Sequence, residues 1–411
     1  MENALTWLFL AALAAASATR LWLARRQVRH VAAHRDAVPA SFAGAIPLAA
    51  HQKAADYTVA KNRLAMIGVF VHAAVLLAFT LGGGIQLLLD AWASAFARGS
   101  LAHGTAFLVS LALALALLNL PLALYRIFVV ESRFGFNRIT PRLFVTDLLK
   151  QAVVGLALGV PLILAVLWLM GRMGEAWWIW VWVLWNAFML VVNMIAPTLI
   201  LPLFNKLTPI TEGEVSERVR ALLARCGFKA RGVFLMDGSK RSSHGNAFFA
   251  GFGAAKRIVL FDTLVERLAP PEVEAVLAHE LGHYRLRHIV KNLALSAALS
   301  LAGLWLLGQL IGEPWFYAGL GVATPSDAAA LLLFFLVLPE FLFFLQPLTS
   351  LYSRKREYYG EAPGWVAKLD TVVHERAALL RLLRGRHEAH HDQHGHVHHE
   401  AENALMDVVR P

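Results

Sequence analysis

The chain has 411 residues, of which 58% are hydrophobic and only 16% are charged, and its mean hydropathy is +0.55. Soluble proteins of this length carry more charge, so the composition excludes an ordinary soluble globular protein and indicates a polytopic membrane protein. The formal net charge of +10 does not predict nucleic acid binding, because the basic residues flank apolar segments and no DNA-binding motif accompanies them. We expect the lipid bilayer, through its anionic headgroups, to be their partner.

Seven apolar segments are long enough to cross a bilayer as helices. They cover approximately residues 3–24, 64–90, 104–130, 152–171, 176–203, 292–312 and 328–349. The first segment has no basic residues before its apolar run and no small-residue cleavage pattern, which favours a retained span over a removed signal peptide. We therefore predict a mainly α fold with helices one to five in residues 1–205 and helices six and seven in residues 292–362.

Positive charge alternates between the loops that join these segments. The loops after spans one, three and five are rich in Lys and Arg, whereas the loops after spans two, four and six are poor in them. The positive-inside rule then places the N-terminus outside and residues 206–291 in the cytosol. The composition, rich in Ala, Leu and Arg, favours a bacterial inner membrane; a eukaryotic source would favour the endoplasmic reticulum.

Residues 206–291 form the main polar insertion between the membrane segments. The pattern predicts a helix over 213–225, followed by strand-like runs at 232–236, 246–249 and 257–261. Together with a helix that starts at Pro270 and Pro271, these elements predict a small α+β unit. About 85 residues bury little core alone, so we expect the unit to rest on the membrane helices.

The last helix of this insertion carries the sequence His279-Glu280-Leu281-Gly282-His283. Histidines at i and i+4 of a helix project from one face, where both can bind one Zn²⁺. Glu280, next to the first histidine, can take a proton from a zinc-bound water. This pattern predicts a zinc-dependent endopeptidase with Glu280 as the catalytic base; the alternative is a helix whose histidines only pack or solvate.

A catalytic zinc ion needs a third protein ligand and one open position. Leu286 and Ile289 stand where the extended HExxHxxGxxH motif would place its glycine and its third histidine, and His288 lies on another face of the helix. A carboxylate from a different helix is therefore required. Glu357, directly after the seventh span and on the same side of the membrane, is the best candidate, although other glutamates are available.

Residues 363–411 differ in character from the rest of the chain. A run at 369–383 could form an amphipathic helix, and a histidine-rich tract follows at 387–399. Such a tract can bind metal ions loosely, or it can be a solvated low-complexity tail. We treat this region as a divergent cytosolic tail without a catalytic role.

Several motifs resemble those of the integral-membrane zinc metalloendopeptidases of the CAAX prenyl protease 1 type. They lie at residues 131–137, 196–205, 237–249, 256–264, 279–288 and 353–358, and the resemblance extends over residues 1 to about 360. It implies seven membrane helices around a water-filled chamber, with the protease unit at the cytosolic end. It also implies one zinc ion per chain, bound by His279, His283 and Glu357.

The resemblance further implies that the strand beginning at Asn246, Ala247 and Phe248 holds the substrate peptide by backbone pairing. Without the resemblance, Asn246 would be an ordinary turn or strand residue. Glu361 stands where the family has an aspartate near the metal ligands, and we expect it, with Arg354, to support those ligands. The family's later His-Pro-Pro segment has no counterpart here, which predicts weaker stabilisation of the oxyanion.

These features predict a monomeric membrane endopeptidase acting on prenylated CAAX-type or other hydrophobic peptides and proteins. One alternative is a quality-control protease of the membrane without prenyl specificity. A second alternative is a polytopic protein without catalytic activity that keeps zinc for structure. A fourth protein ligand on the metal would favour this last alternative.

Overall fold

The computed structural model describes residues 4–360, apart from residues 41, 45, 229, 231, 251–256 and 287. Only the backbone is described at residues 250, 283–285 and 355–360. The predicted helix at 369–383, the histidine-rich tract and Glu361 lie outside the described residues.

Seven helical segments of the described chain are long and apolar enough to cross a membrane, as the sequence predicts. The helices of the membrane part are α1 (Ala4–Ala33), α2 (Leu48–Phe79), α3 (Gly84–Ala93), α4 (Leu101–Tyr125), α5 (Pro141–Arg172), α6 (Trp177–Ile195), α7 (Leu201–Phe204), α11 (His288–Leu310), α12 (Pro314–Ala318), α13 (Asp327–Leu342) and α14 (Gln346–Gly360). The α13 span is the most enclosed, with half of its apolar window buried, compared with 6–17% for the other six. The other spans therefore surround the last one.

The second predicted span, 64–90, is wrong at both ends. Helix α2 begins at Leu48, well before the predicted span. Its first half is polar and charged, so hydropathy does not reveal it. It stops at Phe79, and a turn separates it from α3. The loop before α13 packs against this turn at Gly321, whose φ is +80° and whose Cβ would lie 2.5 Å from the carbonyl oxygen of Thr80. Only glycine fits at that contact.

A buried carboxylate joins three membrane helices. Glu340 of α13 is 1% exposed and accepts hydrogen bonds from Arg20 of α1 at 3.0 Å and from His72 of α2 at 2.8 Å. A charge inside a membrane protein is costly unless it is paired, so this cluster fixes the relative positions of the three helices.

Two membrane helices end in π-helical turns. Arg126–Glu131 continues α4, and Ala196–Ile200 continues α6. Such turns are rare and commonly accompany functional sites. The first turn ends at Glu131, a residue that contacts the polar unit.

The polar unit contains a four-stranded sheet and three helices. Its elements are β1 (Leu207–Pro209), α8 (Glu214–Arg225), β2 (Val233–Met236), β3 (Ala247–Ala250), β4 (Arg257–Phe261), α9 (Asp262–Arg267) and α10 (Pro270–Arg285). The strand order is β1-β2-β4-β3, with β2 and β4 parallel and the other two pairings antiparallel. The predicted α+β unit is confirmed, but three-residue β1 was not predicted because it is too short to show an alternating pattern.

The core of the unit lies between the sheet and two helices. Ile258 and Leu260 of β4 are fully buried against Leu222 of α8 and Leu277 of α10. Helix α10 ends at Arg285 and the membrane helix α11 begins at His288. The unit is thus built into the membrane part through α10 at one end and through α6 and α7 at the other.

Candidate active site

The helix with the predicted zinc motif starts where the sequence places it. Helix α10 begins at Pro270, since proline has a φ suited to the first turn and no N–H to leave unpaired. The carboxylate of Glu272 accepts a hydrogen bond from the backbone N–H of Ala269 at 2.7 Å. This bond satisfies one of the amides that a helix start leaves open.

One face of α10 belongs to the core of the unit. Val273, Leu277 and Leu281, spaced by four residues, are 0–6% exposed. His279 lies two residues from both Leu277 and Leu281, which places it on the opposite face of the helix. Position 283 is four residues further along and shares that face. The same helix thus packs with one side and presents the motif with the other.

An ion-pair cluster fixes α10 against α8. Glu274 of α10 is 8% exposed and accepts hydrogen bonds from Arg218 at 3.3 Å and from Arg225. Hydrogen bonds to Glu214 and to Glu274 raise the pKa of Arg218. The cluster limits rotation of α10 about its own axis.

The structure brings the predicted site elements together at the level of the backbone. Helix α14, which carries position 357, has Cα atoms within 8 Å of α10, and so does strand β3. The side chains of His279 and Glu280 are half-buried. The side chains of His283 and Glu357 lie outside the described part of the chain, and Arg354 is exposed on α14.

No group of three His, Cys, Asp or Glu side chains that could hold a metal ion occurs among the side chains the structure describes. The side chains of two predicted ligands, at positions 283 and 357, lie outside that part of the chain, and the zinc site remains a prediction. The donor chemistry fits zinc, because two imidazoles and one carboxylate form a known catalytic set. The packing of α14 against α10 is compatible with that set.

Strand β3 forms one edge of the sheet within the described chain, since only β4 pairs with it. The backbone N–H of Phe261 donates to the carbonyl oxygen of Asn246 at 2.9 Å, which fixes the bonding pattern of the pair. With Ala247 opposite Leu260, alternation then directs the backbone groups of Ala247 and Phe249 away from β4. The Ala247 N–H donates to Asn246 Oδ1 at 2.8 Å, so the Ala247 carbonyl and the N–H and carbonyl of Phe249 are the groups that face an added strand.

One arginine holds the unit to the membrane helices. Arg241 donates to both carboxylate oxygens of Asp147 in α5, at 2.7 and 2.9 Å, and to Asn205 Oδ1 and the Phe204 carbonyl oxygen, each at 2.7 Å. Neither Arg241 nor Asp147 is a predicted site residue. Their separation by 94 residues leaves no local signal that could have found them.

Two regions of the chain match known protein families. Residues 27–206 match the family described as CAAX prenyl protease N-terminal, five membrane helices, and residues 209–394 match peptidase family M48. The probable CAAX prenyl protease 1 of Schizosaccharomyces pombe is 33% identical over 355 residues, which cover 83% of this chain and 74% of that protein. The chain belongs to the CAAX prenyl protease 1 family. It is an integral membrane metalloendopeptidase, as predicted.

Other relatives in the family agree with this assignment. CAAX prenyl protease 1 of Saccharomyces cerevisiae is 40% identical over 204 residues, which cover 48% of this chain and 44% of that protein. The crystal structure of S. mikatae Ste24p matches with a TM-score of 0.82 and 28% identity, over 93% of this chain and 92% of that one. The predicted fold class is confirmed.

Proposed function

We propose that this CAAX prenyl protease 1 family member is a zinc endopeptidase in which His279, His283 and Glu357 bind the ion. The packing of α10 against both β3 and α14 carries this proposal, because it brings the motif helix, the edge strand and the carboxylate-bearing helix to one place. When bound, zinc polarises the peptide carbonyl and lowers the pKa of a coordinated water to about 7.

Glu280 acts as the general base in this proposal. It follows His279 directly on α10, so its carboxylate lies beside the metal-binding face and can receive a proton from the attacking water. It then passes that proton to the leaving amine, as general acid–base catalysis requires. Glu361 and Arg354 support the ligands in this proposal.

The substrate peptide adds as a further strand beside β3. The outward carbonyl of Ala247 and the outward N–H and carbonyl of Phe249 supply the hydrogen bonds, and Asn246 and Phe248 flank them. Pairing through the backbone tolerates different side chains. This mode suits a protease that reads hydrophobic or lipidated peptides by their membrane association more than by a long sequence motif.

We further propose that the substrates are CAAX-type or other hydrophobic peptides, and that the chain works as a monomer with its active site on the cytosolic side. The names of the relatives support the proposed substrates. The alternation of Lys and Arg between loops supports the cytosolic position of the active site. Nucleic acid is not a partner in this proposal.

The decisive experiment uses full-length protein purified in lipid nanodiscs. Cleavage of a farnesylated CAAX peptide and of a plain hydrophobic peptide is measured for wild type and for Glu280→Gln, together with zinc content. We expect Glu280→Gln to keep its zinc and to lose activity by about 10²-fold or more, because it cannot accept the proton.

Unchanged cleavage by Glu280→Gln would contradict the role of that residue. Full retention of zinc in Glu357→Ala would remove Glu357 from the ligand set. Equal cleavage of both peptides would favour the quality-control protease over the prenyl-specific one.

A further inference from the structure

The segment that enters β3 is fastened to the loop after the third membrane span. The backbone N–H of Ser243 donates to the Phe136 carbonyl oxygen at 3.1 Å, and its hydroxyl donates to the Gly135 carbonyl oxygen at 3.3 Å. Two residues further along each segment, the N–H of Arg138 donates to the Arg241 carbonyl oxygen at 3.1 Å. The membrane part therefore contacts the chain a few residues before the strand that pairs with substrate.

A histidine and a glutamate face each other inside this contact. The His244 ring stacks on Phe136 with centroids 4.5 Å apart and an interplanar angle of 21°. Its Nε2 lies 3.8 Å from Glu131 Oε2, and the two side chains are 15% and 12% exposed. Tyr57 of α2, itself buried, donates its hydroxyl to Glu131 Oε1 at 2.8 Å.

Two polar atoms of this group have unusual surroundings. Glu131 Oε2 and His244 Nδ1 are buried and have no hydrogen-bond partner among the described residues. The separation of 3.8 Å between Glu131 and His244 permits an ion pair but exceeds hydrogen-bond length.

Hydrogen bonds fix the chain between His244 and the start of β3. Its carbonyl oxygen accepts a hydrogen bond from the Thr263 hydroxyl at 2.8 Å. Two residues later, Asn246 accepts from Phe261 N–H through its carbonyl oxygen, and its Oδ1 accepts from Ala247 N–H at 2.8 Å. These bonds connect His244 to Asn246 and Ala247 at the start of β3.

We propose that Glu131 and Tyr57 are positioning residues for substrate binding, acting on the edge strand through His244. The carboxylate, oriented by the tyrosine of α2, holds the imidazole, and the imidazole sets the start of β3. This inference rests on the proposed function, because it takes β3 as the strand that pairs with the peptide. It adds a role for the membrane helices α2 and α4 in setting the peptide-binding edge.

The inference predicts an effect on KM more than on kcat. Backbone pairing with the peptide is the same in the ground state and in the transition state, and loss of such binding raises KM while leaving kcat unchanged. A variant that only destabilised the fold would instead lower the active fraction, and therefore the apparent kcat, at constant KM.

The test measures kcat, KM and zinc content in nanodiscs for Glu131→Gln, His244→Phe and the double variant. Phenylalanine keeps a planar aromatic ring against Phe136 and removes both ring nitrogens, at the cost of a slightly larger ring. We expect each single variant to raise KM for the plain hydrophobic peptide about tenfold or more, with kcat changed less than about threefold and zinc retained. Because Glu131 acts through His244, the double variant is expected to show no further rise in KM.

Asp90→Asn serves as the matched control. It removes the partner of Arg98 in an ion pair of α3, which is outside the protease unit, so KM is expected to stay at the wild-type value. Unchanged KM in Glu131→Gln, or a double variant whose KM rises by the product of the two single effects, would overturn the inference while wild-type cleavage stands. Wild-type protein without metal-dependent cleavage would overturn the proposed function itself and the inference with it.

Discussion

The ion pair between Arg241 and Asp147 lets us work out how strongly the protease unit is held to the membrane helices. The two side chains are 20% and 12% exposed and form two charged hydrogen bonds, and Arg241 adds two more to Asn205 and Phe204. Removing one partner of a buried pair costs about 3–5 kcal/mol, and the partial exposure favours the lower end of that range. We therefore expect Arg241→Ala to weaken the docking of the unit by about 3 kcal/mol.

Amide hydrogen exchange measures this loss directly. Where the contact recloses faster than the open amide exchanges, the exchange rate follows the opening free energy, and a change of about 3 kcal/mol corresponds to roughly 150-fold faster exchange. The amides of Arg138 and Ser243, which bond across the contact, are the reporters. Asp90→Ala removes an exposed ion pair with Arg98 outside this contact, so the exchange of both reporter amides is expected to stay at the wild-type rate.

The double variant Arg241→Ala/Asp147→Ala completes the cycle. Because both charges are then gone, it should exchange more slowly than Arg241→Ala, in which the carboxylate stays buried without its partner. Exchange in Arg241→Ala within about fivefold of wild type would refute the reasoning, since it would mean that other contacts hold the unit in place.

Three further outcomes are expected. Glu340→Gln removes the charge that pairs with Arg20 and His72 in the membrane part, and the midpoint of thermal unfolding by tryptophan fluorescence should fall; an unchanged midpoint would mean that the cluster does not hold the helices together. Gly321→Ala should lower the same midpoint, because its φ is +80° and its Cβ would meet the carbonyl oxygen of Thr80 at 2.5 Å; wild-type stability would contradict the tight contact seen there. Chelation should abolish peptide cleavage and added Zn²⁺ should restore it, and cleavage that survives complete metal removal would exclude metal catalysis.

Much of the fold could be predicted from local patterns. Apolar length gives the seven spans, and the proline pair at 270–271 followed by a stripe of apolar residues gives the helix that carries the zinc motif. Both signals are local, because burial of one helix face is visible in its own sequence. The predicted span starts too late in α2, because the polar first half of this helix has no hydropathy signal.

The parts that could not be predicted depend on contacts between distant residues. Glu131 and His244 are 113 positions apart, yet they face each other at the entry to the edge strand. They belong to the motifs at residues 131–137 and 237–249, but no spacing rule connects these two motifs. Nor does hydropathy distinguish a helix that ends in a π-helical turn from one that ends regularly.

The helices of the proposed metal site are close in sequence to two membrane spans. Helix α10 ends only two residues before α11, and α14 follows α13 after a single 3₁₀ turn, while α11 and α13 contact each other. A bilayer of different thickness changes the tilt of such spans at a cost of fractions of a kcal/mol per Å. The relative position of α10 and α14 therefore depends on how α11 and α13 pack, which couples the proposed metal site to the tilt of these membrane spans.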